Sequence, residues 1–301
     1  MTIGDVTHAI EVHEDLYYVD TGMYDVEEYG AVYVVDGERP AIVDSGIGTN
    51  YETILEALEM AGISPADLAV IALTHVHLDH AGGAGFIAEE TGAEVYVHEV
   101  GAPYVIDTER IWQGTKQAVG DQIDYYTEPQ PVPEEQVTTI EDGDAIDLGT
   151  HELVAHEAPG HAPHQVVYAA PSMDAVFTAD AAGLYVPSVD EIHPTSPPPN
   201  FTLDKALADV ETIRGLDPEW LLYAHFGPAR VAGRLTDYEG TLQSWVEMVA
   251  SAREEFADDE AVIEYFVETV ETPPIWGERK ATAEVALNVR GVLVAMDRGQ
   301  V

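Results

Sequence analysis

Three histidines and an aspartate lie within six consecutive positions of this chain, in a segment that reads THVHLDHAGG from residue 74 to residue 83. The four side chains are those of His75, His77, Asp79 and His80. Imidazole nitrogens and carboxylate oxygens at this density are the ligands that a borderline-soft divalent metal such as zinc prefers. Because the apolar run Leu68–Leu73 precedes the cluster, we expect a strand to deliver it to a loop, where scaffolded sites are common.

The chain carries an extreme negative charge, with 56 acidic against 12 basic residues among 301 and a formal net charge of −44. High charge can indicate disorder, but 46% of the residues are hydrophobic, so we expect a sizeable folded core. At about 1 M salt the Debye length falls to roughly 3 Å, which screens such self-repulsion. The composition resembles that of proteins from salt-in halophilic archaea, and we attribute the acidity to the solvent.

The same composition argues against several classes of partner and chemistry. No basic stripe is visible, and phosphate contacts to nucleic acid need clustered Lys and Arg. The chain has no cysteine, which removes disulfides, thiolate ligands and a cysteine nucleophile. It shows no apolar run of about 18 residues and no basic, apolar leader at its N-terminus. We therefore expect no nucleic-acid partner, no membrane span and a cytoplasmic location.

Short β-branched or aromatic runs bounded by turn residues predict two groups of strands. The first group is Leu16–Asp20, Ala31–Val35, Ala41–Asp44, Leu68–Leu73 and Glu94–His98. The second group is Val137–Ile140, Ala145–Leu148, Glu152–His156, Gln165–Ala169 and Ala175–Thr178, followed by the short strand Trp220–Ala224. Helical periodicity predicts helices over Asn50–Ala61, Gly82–Thr91 and Leu203–Leu216. The proline-rich loop 181–200 is expected to be irregular.

Two further segments stand outside this pattern. We interpret residues 101–135, with a helix around 108–119, as an insertion that could cover a site. Residues 236–301 have a mostly helical pattern, broken at Pro273-Pro274. Two strand-rich halves that each carry helices fit two packed sheets with helices outside. We predict an α/β fold, an αββα sandwich of two mixed sheets, with a catalytic domain over residues 1–230 and a helical C-terminal extension over residues 231–301.

Three later residues are candidates for completing a two-metal site that begins with the short cluster. They are His161, Asp180 and His225, and each lies where a predicted strand gives way to a loop of small residues, Gly or Pro. Taken singly each signal is weak, since an aspartate at the end of a strand is more often a turn or cap residue.

Taken together, the order and spacing of these residues resemble the metallo-β-lactamase superfamily, in its glyoxalase-II-like hydrolase branch. The family pattern is an Asp after an early strand, then HxHxDH, then a His, an Asp and a His near strand ends. The early aspartate here is Asp44, in the segment IVDSG, and HxHxDH falls on residues 75–80. The resemblance covers roughly residues 15–230, and no motif is matched beyond them.

The resemblance implies a division of labour among these side chains. His75, His77 and His161 would hold one metal, Asp79, His80 and His225 the second, and Asp180 would bridge the two. Two metals about 3.5–4 Å apart can share a hydroxide, which is available near neutral pH and would attack a carbonyl or phosphoryl centre. Asp79 is also assigned a catalytic role. Asp44 is placed beside the ligands, where it would orient a ligand histidine, and His164 is placed beside them or in the pocket.

By the same resemblance we expect a dinuclear zinc enzyme, with iron or manganese as alternatives, that hydrolyses a small ester, thioester or lactone. A phosphodiesterase or nuclease, a single-iron sulfur dioxygenase and a non-enzymatic role stay open as alternatives. Glyoxalase II would bind glutathione through basic residues of its C-terminal region. Arg279 and Lys280 are adjacent here, but neighbouring basic residues are more often solvated. The helical tail could line the pocket, form a homodimer interface, or both.

Overall fold

The computed structural model describes residues 2–301, which form two large β-sheets, a small hairpin and nine α-helices. The strands are β1 Val6–His8, β2 Leu16–Asp20, β3 Ala31–Val35, β4 Ala41–Val43, β5 Val70–Ala72, β6 Glu94–His98, β7 Val137–Ile140, β8 Ala145–Asp147, β9 Glu152–Glu157, β10 Val166–Ala170, β11 Ala175–Ala179, β12 Leu184–Val186, β13 Glu191–His193, β14 Trp220–Tyr223 and β15 Gly227–Arg230. The helices are α1 Tyr51–Met60, α2 Leu78–Ala81, α3 Ala84–Thr91, α4 Ala102–Ile106, α5 Glu109–Val119, α6 Leu203–Gly215, α7 Arg234–Glu255, α8 Asp259–Thr269 and α9 Gly277–Asp297.

The N-terminal sheet contains β1 to β7 in sequence order. Its first four strands are antiparallel and joined by turns, whereas β4 to β7 are parallel. Parallel neighbours need a crossover connection, and α1 to α5 supply these crossovers. The carboxyl ends of β4 and β5 therefore lie side by side at one edge.

The C-terminal sheet has the strand order β15-β14-β11-β10-β9-β8. All of its neighbours are antiparallel except β11 and β14, which are parallel and linked across α6. The strands β12 and β13 form a separate two-stranded sheet. The inner strands β3, β4, β5, β10, β11 and β14 are buried on both faces and are mostly apolar, whereas β8 and β9 alternate between buried and more exposed residues.

The core is divided into layers by the two-residue period of the strands. Tyr33, Tyr168 and Phe177 belong to a buried cluster that both sheets share. Their neighbours face the other way: Val32 and Val34 pack under α1 and α3, and Val176 packs with the helices from α6 onward. The αββα arrangement with a helical C-terminal region is confirmed. Among residues 2–301, no helix has the length and apolarity needed to cross a membrane.

Several elements differ from the sequence-based prediction. Four short strands were not predicted, namely β1, β12, β13 and β15, and two of them form a hairpin inside the loop 181–200 that was expected to be irregular. β15 contains Pro228, which carries no backbone N–H; it is an edge strand, the place where a sheet tolerates proline. The division of the chain at residue 230 stays a prediction.

The last helix, α9, packs closely against the backbone of residues 196–197 at Gly291. A Cβ added to Gly291 would lie 1.6 Å from the backbone oxygen of Ser196, and the Ser196 backbone N–H already donates to the Asn288 side chain at 2.5 Å. A close approach of this kind requires glycine, because the nearest atoms belong to the backbone and cannot move aside as the end of a flexible side chain could.

Two helical glycines give a matched test of this packing. We expect Gly291→Ala to lower the free energy of unfolding by at least about 1–3 kcal/mol, as overpacking commonly does. Gly240→Ala in α7, where a Cβ would meet nothing within 4 Å, should raise it by up to about 1 kcal/mol through helix propensity. Urea unfolding in molar salt measures both. Equal effects of the two substitutions would contradict the close contact.

Candidate metal centre

The candidate ligands leave both sheets at the same edge of the sandwich. Asp44 follows β4, and His75 and His77 lie between β5 and α2. Asp79 and His80 are in the first turn of α2. His161 lies in the turn between β9 and β10, Asp180 follows β11, and His225 follows β14. Residues from five separate segments thus converge, and all seven predicted ligands come together.

Three histidines form the first group of the centre. Nδ1 of His77 lies 3.1 Å from Nε2 of His75 and 2.9 Å from Nε2 of His161. These atoms all lie within 4.8 Å of one another. Ligands at about 2.0–2.1 Å from a zinc ion stand roughly 3.3–3.4 Å apart in a tetrahedral site, so this group matches one face of such a site.

The second group consists of Asp79, His80 and His225. Nε2 of His80 lies 3.2 Å from Nε2 of His225. Oδ2 of Asp79 lies 3.8 Å from the first nitrogen and 3.9 Å from the second. The group again spans less than 4.8 Å, and its carboxylate brings negative charge to balance a cation.

Asp180 stands between the two groups and faces each with a different oxygen. Its Oδ2 lies 3.3 Å from Nε2 of His161 in the first group. Its Oδ1 lies 3.3 Å from Nε2 of His80 and 3.5 Å from Nε2 of His225 in the second. The preceding Ala179 has φ 48°, and the register with β14 shifts between Phe177 and Ala179. A bulge at the end of a strand re-aims the next side chain, here into the centre.

Hydrogen bonds to the outer ring nitrogens show that this centre fits a cation. Nδ1 of His225 donates to the backbone oxygen of Tyr29 at 2.7 Å, and Nδ1 of His80 donates to Oδ2 of Asp44 at 2.9 Å. Because Nδ1 carries the proton in each of these neutral rings, the two Nε2 atoms carry lone pairs. They face each other at 3.2 Å, and Oδ1 of Asp180 is buried beside them with no hydrogen-bond partner. A divalent cation satisfies all three atoms.

Burial and charge shift the pKa values of the group in opposite directions. Burial lowers the pKa of His161 to about 3 and that of His75 well below its usual range. Burial would also lower the pKa of His80, but the carboxylates of Asp180, Asp44 and Asp79 raise it well above 6.5. Without a metal a proton therefore sits on His80, and metal binding must displace it.

Asp44 contacts the candidate ligand His80 through the outer ring nitrogen, Nδ1, and not through Nε2, the atom that faces the other candidate ligands. Its carboxylate accepts from the backbone N–H and the hydroxyl of Thr74 at 2.8 and 2.9 Å, and from His80. Its own φ is 64°, a left-handed conformation that aspartate tolerates better than most residues. His164 accepts from the backbone N–H of Val76 at 3.4 Å, and burial lowers its pKa to about 2. It therefore packs behind the motif.

A pocket opens in front of the centre and is closed on its far side by the insertion and by α9. Its lining includes Thr115, Val119 and Tyr126 from the insertion and Leu287 and Asn288 from α9. The expectation that residues 101–135 cover a site is thus confirmed. The helical tail lines the pocket through α9, which is one of the two roles that the sequence left open for it.

The pocket contains a buried ion pair that sequence reasoning missed. Nζ of Lys280 lies 2.7 Å from Oε2 of Glu284, and 4.0 and 3.9 Å from the ring centroids of Tyr24 and Tyr29. Lys280 is only 4% exposed. The prediction that this residue is solvated is therefore wrong. The other residue, Arg279, is 57% exposed in its side chain. The overlooked signal is the i,i+4 series of polar residues Lys280, Glu284 and Asn288 along α9.

This pair is connected to the metal centre through one residue. The hydroxyl of Tyr29 donates to Oε2 of Glu284 at 2.7 Å, and the backbone oxygen of the same tyrosine holds His225. Oε1 of Glu284 accepts from Asn288 at 2.7 Å. Burial would raise the pKa of Glu284, but Lys280 and Tyr29 hold it below its usual range. The carboxylate is thus fully satisfied.

Comparison with known proteins assigns the family. The model of the metallo-β-lactamase superfamily matches residues 26–225, and the chain belongs to that superfamily. It is 26% identical over 172 residues to the probable metallo-hydrolase YybB of Bacillus subtilis, a match that covers 57% of this chain and 68% of the relative.

Two solved structures share the fold. One is an archaeal metallo-β-lactamase superfamily protein from Sulfolobus tokodaii, with a TM-score of 0.70 and 22% identity, covering 92% of this chain and 98% of that one. The other is a metallo-β-lactamase family protein from Thermus thermophilus, with a TM-score of 0.63 and 22% identity, covering 90% and 89%. At these identities the likeness concerns the fold.

The role of Asp44 can be tested through metal affinity. We expect Asp44→Ala to weaken zinc binding about 10–100-fold, because partners that orient ligand histidines typically contribute that much. Isothermal titration in molar salt measures the change, with Asp67→Ala, an exposed position, as the control. An unchanged affinity in Asp44→Ala would show that His80 is oriented by other contacts.

The turn that carries His161 depends on a buried acid, Asp209 in α6. Its Oδ2 accepts from the backbone N–H of Gly160 at 2.7 Å. Burial raises the pKa of Asp209 to about 7 from 3.8, although Gly160 and Lys205 act against the rise. The folded protein therefore keeps this proton where the unfolded chain has lost it. This group's contribution to stability is greatest below about pH 4 and falls as the pH rises toward 7.

Asp209→Asn removes that pH dependence. The melting temperature of the variant minus that of the wild type should increase from pH 4 to 7 and stay constant above pH 7. Each 1 kcal/mol of difference in the free energy of unfolding corresponds to about 2–4 °C. Calorimetry on metal-stripped protein in molar salt measures it, and Asp204→Asn, exposed on the same helix, is the control. A difference that does not vary with pH would contradict the raised pKa.

Proposed function

We propose that this chain is a dinuclear-metal hydrolase that acts on a small ester, thioester or lactone. The observation that carries the proposal is the position of Asp180, whose two oxygens face two separate groups of three ligands each. A bridging carboxylate of this kind is useful only if two cations lie close together. The similarity to a probable metallo-hydrolase of Bacillus subtilis supports the same reaction class.

The residues would hold the metals in two sets that share Asp180. His75, His77 and His161 form the first set, and Asp79, His80 and His225 the second. When bound, the two ions would act as Lewis acids and lower the pKa of water to about 7. The donor set of five imidazoles and two carboxylates suits zinc, with iron or manganese as alternatives.

Asp79 is the ligand best placed to move a proton. Its side chain is 23% exposed, against 2% for His80 and 6% for Asp180, and it lines the pocket. His80 and His225 hold the pKa of Asp79 below its usual value, although burial acts against them. A charged carboxylate that reaches solvent can orient an attacking water and accept its proton.

The charges around the pocket favour a small substrate over a polyanion. Among the described residues that line it, Lys280 is the only Lys or Arg, and its charge is balanced by Glu284 at 2.7 Å. Tyr24, Tyr29 and Tyr126 supply much of the remaining wall. A nucleic acid would meet no unpaired cation there, and phosphate contacts need several. The glyoxalase-II-like branch and a halophilic source are parts of the same proposal.

The mechanism is tested by exchanging one residue of the first set and the bridging residue separately. We expect His77→Ala and Asp180→Ala each to lower kcat/KM for a thioester or lactone substrate at least about 10³-fold, since each removes metal from its set. His156→Ala, on β9 and outside the ligand groups, is the control. Hydrolysis that survives in both variants would overturn the mechanism.

Metal content of the same preparations separates the alternatives. At least two zinc ions per wild-type chain, with fewer in both variants, support the proposal. About one iron per chain would instead support a single-iron dioxygenase. Binding of RNA or DNA that weakens steeply with added salt would support a nuclease, and full metal occupancy without turnover on esters, thioesters and phosphodiesters would support a non-enzymatic role.

A further inference from the structure

A second cluster of metal-binding side chains lies outside the centre described above. His13 and Asp15 are in the turn between β1 and β2, and His151 is in the turn between β8 and β9. The first turn belongs to the N-terminal sheet and the second to the C-terminal sheet. The three residues therefore meet across the two layers of the sandwich.

This cluster is at the end of the sandwich remote from the metal centre. Strand β2 starts beside it at Leu16 and ends at Asp20, which pairs with Ala31 near the segment that holds His225. Strand β9 likewise starts next to His151 and runs toward His161. Strands of five and six residues rise about 3.3 Å per residue, so the two places are roughly 15–20 Å apart.

The ligand atoms are already close to metal-binding geometry. Oδ2 of Asp15 lies 3.0 Å from Nε2 of His151 and 3.7 Å from Nδ1 of His13. One ligand atom from each residue lies within 4.8 Å of the others. The two imidazole rings are perpendicular, at 88°, with centroids 5.0 Å apart. Separations of about 3.3 Å are expected between ligands of one tetrahedral zinc ion.

The surroundings of His151 support a built site rather than a chance encounter. The residue is 6% exposed, and its Nδ1 pairs with the hydroxyl of Ser172 at 2.8 Å. In the tautomer in which Nδ1 donates to this hydroxyl, the ring is held in place and Nε2 is available to a metal beside Asp15, which is the arrangement around ligating histidines. The side chains of His13 and Asp15 are 26% and 36% exposed, so ions and water ligands can enter.

We propose that His13, Asp15 and His151 form a separate binding site for one divalent transition-metal ion such as zinc. Two imidazoles and one carboxylate suit zinc, nickel or copper better than calcium or magnesium, which prefer oxygen ligands. The remaining positions are filled by water. The backbone N–H of Asp15 donates to Nδ1 of His13 at 3.2 Å, and metal binding through that nitrogen replaces this bond.

The ion at this remote site joins the two sheets and takes no part in hydrolysis. Asp15 and His151 are 136 residues apart in sequence, so only the folded chain brings both side chains to one ion. Binding to the folded state alone raises the melting temperature with metal concentration. The metal-free alternative is a simple ion pair between Asp15 and His151, which needs nothing from His13.

The test counts zinc ions and follows stability in the full chain. Chelator-stripped protein in molar salt is titrated with zinc alone, for the wild type, His13→Ala and the control His156→Ala. His156 lies on β9 outside all ligand groups, and its Nδ1 is 3.8 Å from Oδ1 of Asp142. We expect His13→Ala to lose one zinc equivalent, or to bind it at least tenfold more weakly, and His156→Ala to match the wild type.

Two further readouts keep this result separate from the proposed function. Hydrolysis by His13→Ala should equal that of the wild type, whereas the rise in its melting temperature with zinc should be smaller. Asp15→Asn should lose the same zinc equivalent. Equal zinc stoichiometry and affinity in the wild type, His13→Ala and Asp15→Asn would overturn the remote site and favour the ion pair, whether or not the centre at His75–His80 proves dinuclear.

Discussion

The contact between Asp180 and its histidine neighbours is the one on which the candidate metal centre depends. Its two oxygens lie 3.3 Å from His161 and 3.3 Å from His80, so each group of ligands contributes to holding the other. The carboxylate arrives from the C-terminal sheet, whereas His80 arrives from the N-terminal sheet. The two layers must therefore pack correctly before the centre exists, which ties metal binding to the completed sandwich.

Hydrogen bonds around the centre hold two of its imidazoles in a fixed orientation. Asp44 and the backbone oxygen of Tyr29 each hold an outer nitrogen, at 2.9 and 2.7 Å, and so direct the inner nitrogens of His80 and His225 toward the middle of the centre. Through Tyr29 this support extends to Glu284 and Lys280 of the last helix. The C-terminal helices are thus connected to the chemistry as well as to the core.

Much of the fold could be predicted from patterns that local sequence carries. Strands such as Leu16–Asp20, Ala31–Val35 and Glu94–His98 have the predicted bounds, because β-branched runs between turn residues leave few alternatives. The hairpin of β12 and β13 was missed because its pairing depends on surrounding structure. Lys280 was misjudged because its burial depends on Tyr24 and Tyr29, more than 250 residues earlier in the chain.

The sequence by itself determined the inventory of the site: the motif at residues 75–80, the later His161, Asp180 and His225, and the superfamily to which they point. Those residue types determine which class of cation is favoured, because imidazole and carboxylate donors prefer divalent transition metals. The tertiary structure alone decided which oxygen of Asp180 faces which group, and which wall closes the pocket. It also brought His13, Asp15 and His151 together, because only the stacking of two sheets makes such distant residues neighbours.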